Sequence, residues 1–195
     1  MKIALLGGSF NPPHTGHLSL AEDVRLALGY DKVFFVPVNI APHKKMAIGA
    51  GDQDRINMLQ LAIAGNDGFG LELCELNRGG VSYTIDTIRY LTKFYGNQLS
   101  EKIGFILGDD LVAGFSSWRC AAELAEEANL ILVRRNFGAA EEIDFPFRHI
   151  EVETTVLPIA SSSIRQKIAG GEGWRYLVPN GVYEYITERK LYENE

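Results

Sequence analysis

Apolar residues in this chain fall into two patterns, short unbroken runs and longer stretches in which they return every three or four positions. The runs Ile3–Leu6, Lys32–Val38 (KVFFVPV), Phe69–Leu76, Ile103–Leu107 and Asn129–Val133 (NLILV) are bounded by Gly, Asn or Asp and predict strands. Arg148–Val152 (RHIEV) is more polar and predicts a sixth, edge strand. Helical spacing predicts a helix over His17–Leu28, with Leu18, Ala21, Val24 and Leu28 on one face and Gly29 as its stop. A second helix is expected over Gln53–Ala64, with Ile56, Leu59 and Ile63 inward and Asp52 as N-cap. Others are expected through Ile88, Leu91 and Phe94, after Asp110 as far as Trp118, from Pro158–Arg165 to Gly170-Gly171, and in the tail with Val182 and Ile186 inward.

Strand and helix in alternation predict an α/β fold. The expected architecture is a single Rossmann-like domain over residues 1–195, a doubly wound, mostly parallel sheet with helices on both faces. Such a sheet gathers the loops at its strand C-termini around one crevice. Two segments read as connections. Asn39–Asp52 (NIAPHKKMAIGAGD) is long for a loop and carries His43, Lys44 and Lys45, as a lid over the crevice would; Phe137–Asp144 is glycine- and acid-rich.

Composition narrows the function classes. The 195 residues are 46% hydrophobic and 23% charged with a net charge of −6, ordinary for a globular chain and unlike a general nucleic-acid binder, which carries a basic face. No apolar run approaches the roughly 20 residues of a membrane span, and the start MKIALLGGS lacks the apolar core and cleavage site of a signal peptide. A cytoplasmic address is expected. Cys74 and Cys120 stand far apart outside any CxxC pair, which supports neither a disulfide framework nor a zinc ribbon; both are expected to be buried small residues.

The densest chemistry lies in Gly7–Leu18, GGSFNPPHTGHL, directly after the first strand. Strand, glycine-rich loop and helix aim backbone N–H groups at an anion, and His14 and His17 at the helix start could stabilise charge developing on it. A metal site on these two histidines is weak, because no carboxylate or third histidine is spaced to complete it. Gly108-Asp109-Asp110 and Arg134-Arg135 close strands, where polar groups face the crevice, and Ser161–Arg165 makes a second serine-rich helix start. His149 reads as structural.

GSFNPPHTGH resembles the GSFxPxHxGH signature of the HxGH nucleotidyltransferases, which join a nucleoside monophosphate to a second phosphate and release pyrophosphate. Further along, PHK, SYTIDT, the G-x-D at Gly108–Asp110 with Trp118 beyond it, and LVP..V..YI...LY are similar to segments of the nicotinate-mononucleotide adenylyltransferases. The segment from Ile159 to Arg165 resembles their ISSTxIR, with Ala160 replacing the first serine and Ser162 the threonine.

The resemblance implies adenylyl transfer from ATP to nicotinate mononucleotide, giving nicotinate adenine dinucleotide and pyrophosphate, with Mg²⁺ accompanying ATP. It assigns catalysis to His14, His17, Lys44 and Arg165, the histidines on α- and bridging-phosphate oxygens and the two cations on the leaving pyrophosphate. ATP would also meet Gly8, Ser9, Phe10, Gly108, Asp110, Ser161 and Ser162, with Asp110 on a ribose. Nicotinate mononucleotide would meet Lys44, Tyr83, Thr84, Trp118 and Arg135, where Tyr83 and Thr84 hold the carboxylate, Trp118 the pyridine and Arg135 the phosphate. The partners implied are these two small molecules, with no nucleic acid and no membrane. Rival readings are a nicotinamide mononucleotide adenylyltransferase, another HxGH nucleotidyltransferase such as a pantetheine-phosphate or cytidylyl-transferring relative, and a non-catalytic nucleotide sensor.

Overall fold

The structure is a computed structural model that describes residues 1–42, 49–134, 144–155 and 157–193. Its first strand, β1 (Ile3–Gly8), sends Ile3 and Leu5 into one hydrophobic cluster and Ala4 and Leu6 into another, the alternation of a strand covered on both faces. Parallel to it run β2 (Lys32–Pro37), β3 (Phe69–Leu71), β4 (Gly104–Gly108), β5 (Asn129–Arg134) and β6 (His149–Glu153), in the order β3-β2-β1-β4-β5-β6. The chain winds outward from β1 in one direction, then crosses to β4 and winds outward in the other. Ligand crevices open between the two strands where the winding reverses, here β1 and β4.

Helices α1 (Thr15–Leu28) and α2 (Asp52–Ile63) cover one face of the sheet through Leu20, Ala21, Val24 and Leu59. The other face carries α4 (Thr84–Tyr95), after the short α3 (Cys74–Arg78), with the single turn α5 (Val112–Phe115) and α6 (Ala121–Glu127); these bury Ile85, Ile88, Leu91, Phe115 and Leu124. Behind α2 lie α7 (Ser161–Ala169) and α8 (Asn180–Arg189), where Met58 and Ala62 meet Ile164, Val182, Ile186 and Tyr192. The doubly wound expectation holds, every described strand is parallel, and β6 is an edge strand, with β3 at the opposite edge. No described helix is long and apolar enough to cross a membrane.

Local chemistry shifts several boundaries. The expected strand Phe69–Leu76 ends at Leu71, because the Glu72 carboxylate accepts the Cys74 N–H at 2.8 Å and turns the chain into α3. α1 starts at Thr15, two residues early, with His14 as N-cap. Gly51 rather than Asp52 caps α2; the Asp54 carboxylate accepts the Gly51 N–H at 3.2 Å. Instead of one helix from Asp110 to Trp118 there are a 3-10 turn, Asp109–Leu111, and α5. Because α2 is sandwiched between sheet and α8, it buries Arg55, Met58, Leu59 and Ala62, while Ile56 and Ile63 are only half-buried. Cys74 is buried as expected, but Cys120 is half-buried and has φ +54°. His149 is structural: Nδ1 donates to the Phe147 carbonyl at 2.7 Å.

Candidate active site

The loop after β1 is held from behind by groups that are distant in sequence. The Gly8 carbonyl accepts the Val38 N–H at 3.0 Å, and the Ser9 carbonyl accepts Nη1 of Arg55 at 3.0 Å. Arg165 Nη1 donates to the Asn11 carbonyl at 2.8 Å, and Ser161 Oγ to that of Pro12 at 2.8 Å. The Asn11 side chain accepts the Tyr192 hydroxyl, both residues being buried. In a trans peptide the N–H points opposite to the C=O. Holding the Gly8 and Ser9 carbonyls therefore turns the Ser9 and Phe10 amides away from these partners. Pro12 and Pro13 have no N–H to offer.

Phe10 has φ +46°, a strained conformation for a bulky side chain. Its ring offsets that cost in the core, 5.7 Å from Phe35 and edge-on to His17 at 5.0 Å. The Phe10 ring thus supports the loop and His17 from the core. The His14 and His17 rings stack at 3.6 Å. The His14 backbone N–H donates to Nδ1 of His17 at 3.2 Å, which makes Nδ1 an acceptor and puts the imidazole proton on Nε2. Gly16 makes room: a Cβ there would stand 3.1 Å from His14 Nδ1.

A cavity of about 510 Å³ opens over the C-terminal ends of β1 and β4. Gly8 and Ser9 line one part of it; Tyr83, Thr84, Asp110 and Trp118 line another. Tyr83 is the N-cap of α4 and Thr84 its first residue, so the wall includes a helix N-terminus. Ser82 fixes this turn to the segment after β2, its Oγ accepting the Asn39 N–H at 3.0 Å and its N–H donating to the Ile40 carbonyl at 2.9 Å. Trp118 packs on Phe115 at 5.2 Å and Phe105 at 6.0 Å.

Glu75 and Arg119 also line the cavity. Glu75 is buried and accepts the Thr87 hydroxyl on Oε1 at 2.6 Å; its Oε2 has no hydrogen-bond partner among the described residues. Arg119 lies over the Tyr83 ring, 4.7 Å from its centroid. Beside Glu75, burial foremost, with the Glu72 and Glu75 charges next, pushes the Cys74 thiol up to about 12.

The candidates of the sequence thus fall into two groups. Gly8, Ser9, Tyr83, Thr84, Asp110 and Trp118 share the cavity, and His14, His17, Ser161 and Arg165 gather on the loop. Gly108 is buried at the end of β4, and Ser162 is exposed on α7. Lys44 and Arg135, with His43 and Lys45, lie outside the described residues. From the sequence the Gln53–Ala64 helix was given no part in the site, and Arg55 was missed. The signal was there: Arg55 stands three, four and seven positions before Met58, Leu59 and Ala62, an arginine inside a buried stripe. Glu75 and Arg119 carry no comparable signal, since only tertiary packing brings them to the cavity.

The profile of the cytidylyltransferase-like family matches residues 5–167. A protein of Treponema pallidum (strain Nichols) named probable nicotinate-nucleotide adenylyltransferase is 39% identical, with 100% of each chain covered. One of the same name from Geobacillus thermodenitrificans is 42% identical over 98% of this chain and 86% of its own. Among solved structures, the Plasmodium falciparum nicotinic acid mononucleotide adenylyltransferase complexed with NaAD superposes with a TM-score of 0.81. It covers 100% of this chain and 98% of its own, and at 19% identity it speaks for the fold.

Proposed function

Because the chain belongs to the nicotinate-nucleotide adenylyltransferases of the cytidylyltransferase-like family, we propose that it transfers the adenylyl group of ATP to nicotinate mononucleotide. The products are nicotinate adenine dinucleotide and pyrophosphate, a step in NAD biosynthesis. What supports this reading is that one cavity joins an anion-binding glycine loop to a helix N-terminus flanked by an indole.

A phosphate oxygen of the mononucleotide attacks the α-phosphorus in line; the bond from that phosphorus to the bridging oxygen breaks, and pyrophosphate leaves with its electrons. No covalent enzyme intermediate is needed, so catalysis rests on positioning and charge stabilisation. His17 donates Nε2–H to an α-phosphate oxygen, the proton its tautomer presents, with the Ser9 and Phe10 amides beside it. His14 sets that tautomer through its backbone N–H and adds its own ring to the phosphate site. Arg165 and Ser161 hold the loop by its carbonyls, and the guanidinium brings positive charge to the leaving pyrophosphate.

In the acceptor half, Trp118 stacks on the pyridine, Tyr83 and Thr84 present the α4 N-terminus to its carboxylate, and Asp110 accepts from ribose hydroxyls. Lys44 and Arg135 belong to this reading as phosphate contacts. Mg²⁺ neutralises ATP phosphate charge when bound. Among the described residues no three His, Cys, Asp or Glu side chains converge; a hard cation arriving with ATP would take phosphate and water oxygens. The reading includes one catalytic domain over residues 1–195, small-molecule partners only and a cytoplasmic address. Its test is the mass of the product formed from ATP and nicotinate mononucleotide, expected as nicotinate adenine dinucleotide; unreacted substrates would refute it.

A further inference from the structure

We propose that Arg119 selects the acid over the amide at the acceptor site, its guanidinium pairing with the carboxylate on the pyridine ring. The inference rests on the adenylyl-transfer reading and names the side chain behind its specificity. Among the described residues that line the cavity, Arg119 is the one Lys or Arg, whereas Glu75 and Asp110 are both carboxylates. A wall of that charge disfavours an anionic pyridine substituent unless a cation stands close to it. A carboxamide needs no such partner.

The position fits. Arg119 directly follows Trp118 and lines the same cavity, so a ring resting on the indole lies in the space that the arginine side chain borders. On its other side the guanidinium lies 4.7 Å from the Tyr83 ring centroid, above the N-cap of α4. Cation and helix N-terminus then act on the same anion.

The guanidinium also keeps the donors this needs. A contact with the Tyr83 ring consumes none of its N–H groups, which form the fork that matches a carboxylate. Asp86, on the first turn of α4, stands 3.7 Å away, beyond hydrogen-bond distance, and balances the charge without consuming a donor. The side chain is 56% exposed and has room to turn toward a ligand.

The experiment compares kcat/KM for nicotinate and nicotinamide mononucleotides in the wild type, Arg119→Ala and Arg119→Lys, each with saturating ATP. The acid-to-amide ratio is read within one preparation, so a partly folded fraction cancels. A charge-assisted hydrogen bond implies a ratio roughly 10- to 100-fold lower in Arg119→Ala, with Arg119→Lys between it and the wild type because it keeps the charge and loses the fork. An unchanged ratio in Arg119→Ala, including an equal loss on both substrates, overturns the inference and leaves the adenylyl-transfer reading standing. A wild type inactive with both mononucleotides removes that reading instead.

Discussion

The guanidinium of Arg55, 1% exposed, donates a hydrogen bond of 3.0 Å to the carbonyl of Ser9. It ties α2 to the loop after β1 across 46 residues, with Asp52 of the same helix holding its other arm at 2.7 Å. Removing the side chain leaves a part-buried carbonyl unpaired and a void under the loop. Arg55→Ala is expected to lower unfolding stability by about 2–4 kcal/mol, measured by urea denaturation, and to raise KM for ATP by more than that for the mononucleotide. Arg55→Lys reaches one acceptor rather than two and recovers part of both. Equal effects on the two KM values would mean that Arg55 supports the fold without positioning the loop.

How much of this was legible in the sequence follows physical lines. The parallel sheet and its helices were, because burial on both faces writes itself as unbroken apolar runs such as NLILV. The loop was legible because glycines, prolines and histidines crowd into one strand-to-helix turn. What escaped depends on partners brought from elsewhere. The hydrogen bonds that Arg165 and Ser161 give to the carbonyls of Asn11 and Pro12 were not legible, because each partner lies most of the chain away. Nor was the burial of the Phe10 ring in the core. The false strand at Cys74–Leu76 was undone by one side-chain cap from Glu72, invisible to periodicity.

His17 carries its mobile proton on Nε2 because Nδ1 accepts from the His14 backbone. In the proposed mechanism its donor acts on charge that grows in the transition state, so the loss should fall on turnover. His17→Ala is expected to lower kcat by about 100- to 1000-fold, with the Kd for ATP changed far less. Steady-state kinetics with ATP titration calorimetry separates the two. A variant with near-normal kcat would exclude His17 from the mechanism.

Alkaline stability follows from two buried acids. Burial first, then nearby carboxylates, pushes the Cys74 thiol from 9.0 up to about 12; burial first, then the Glu101 charge, pushes the Tyr30 hydroxyl from 10.0 up to about 12. Both folded values are raised, so the folded state retains protons that the unfolded chain gives up. Their contribution is complete below the unfolded values and is lost as pH rises toward about 12. Tm should therefore fall between pH 9.0 and about 12. Tyr30→Phe and Cys74→Ala should each flatten the fall, and an unaltered slope in both would contradict this account.

The central claim is tested most directly by pyrophosphate release from ATP and Mg²⁺ with nicotinate mononucleotide, with nicotinamide mononucleotide, and with neither. The account predicts release that depends on the acceptor, is faster with the acid than with the amide, and yields one nicotinate adenine dinucleotide per pyrophosphate. ATP binding without pyrophosphate release under any of the three conditions would contradict it.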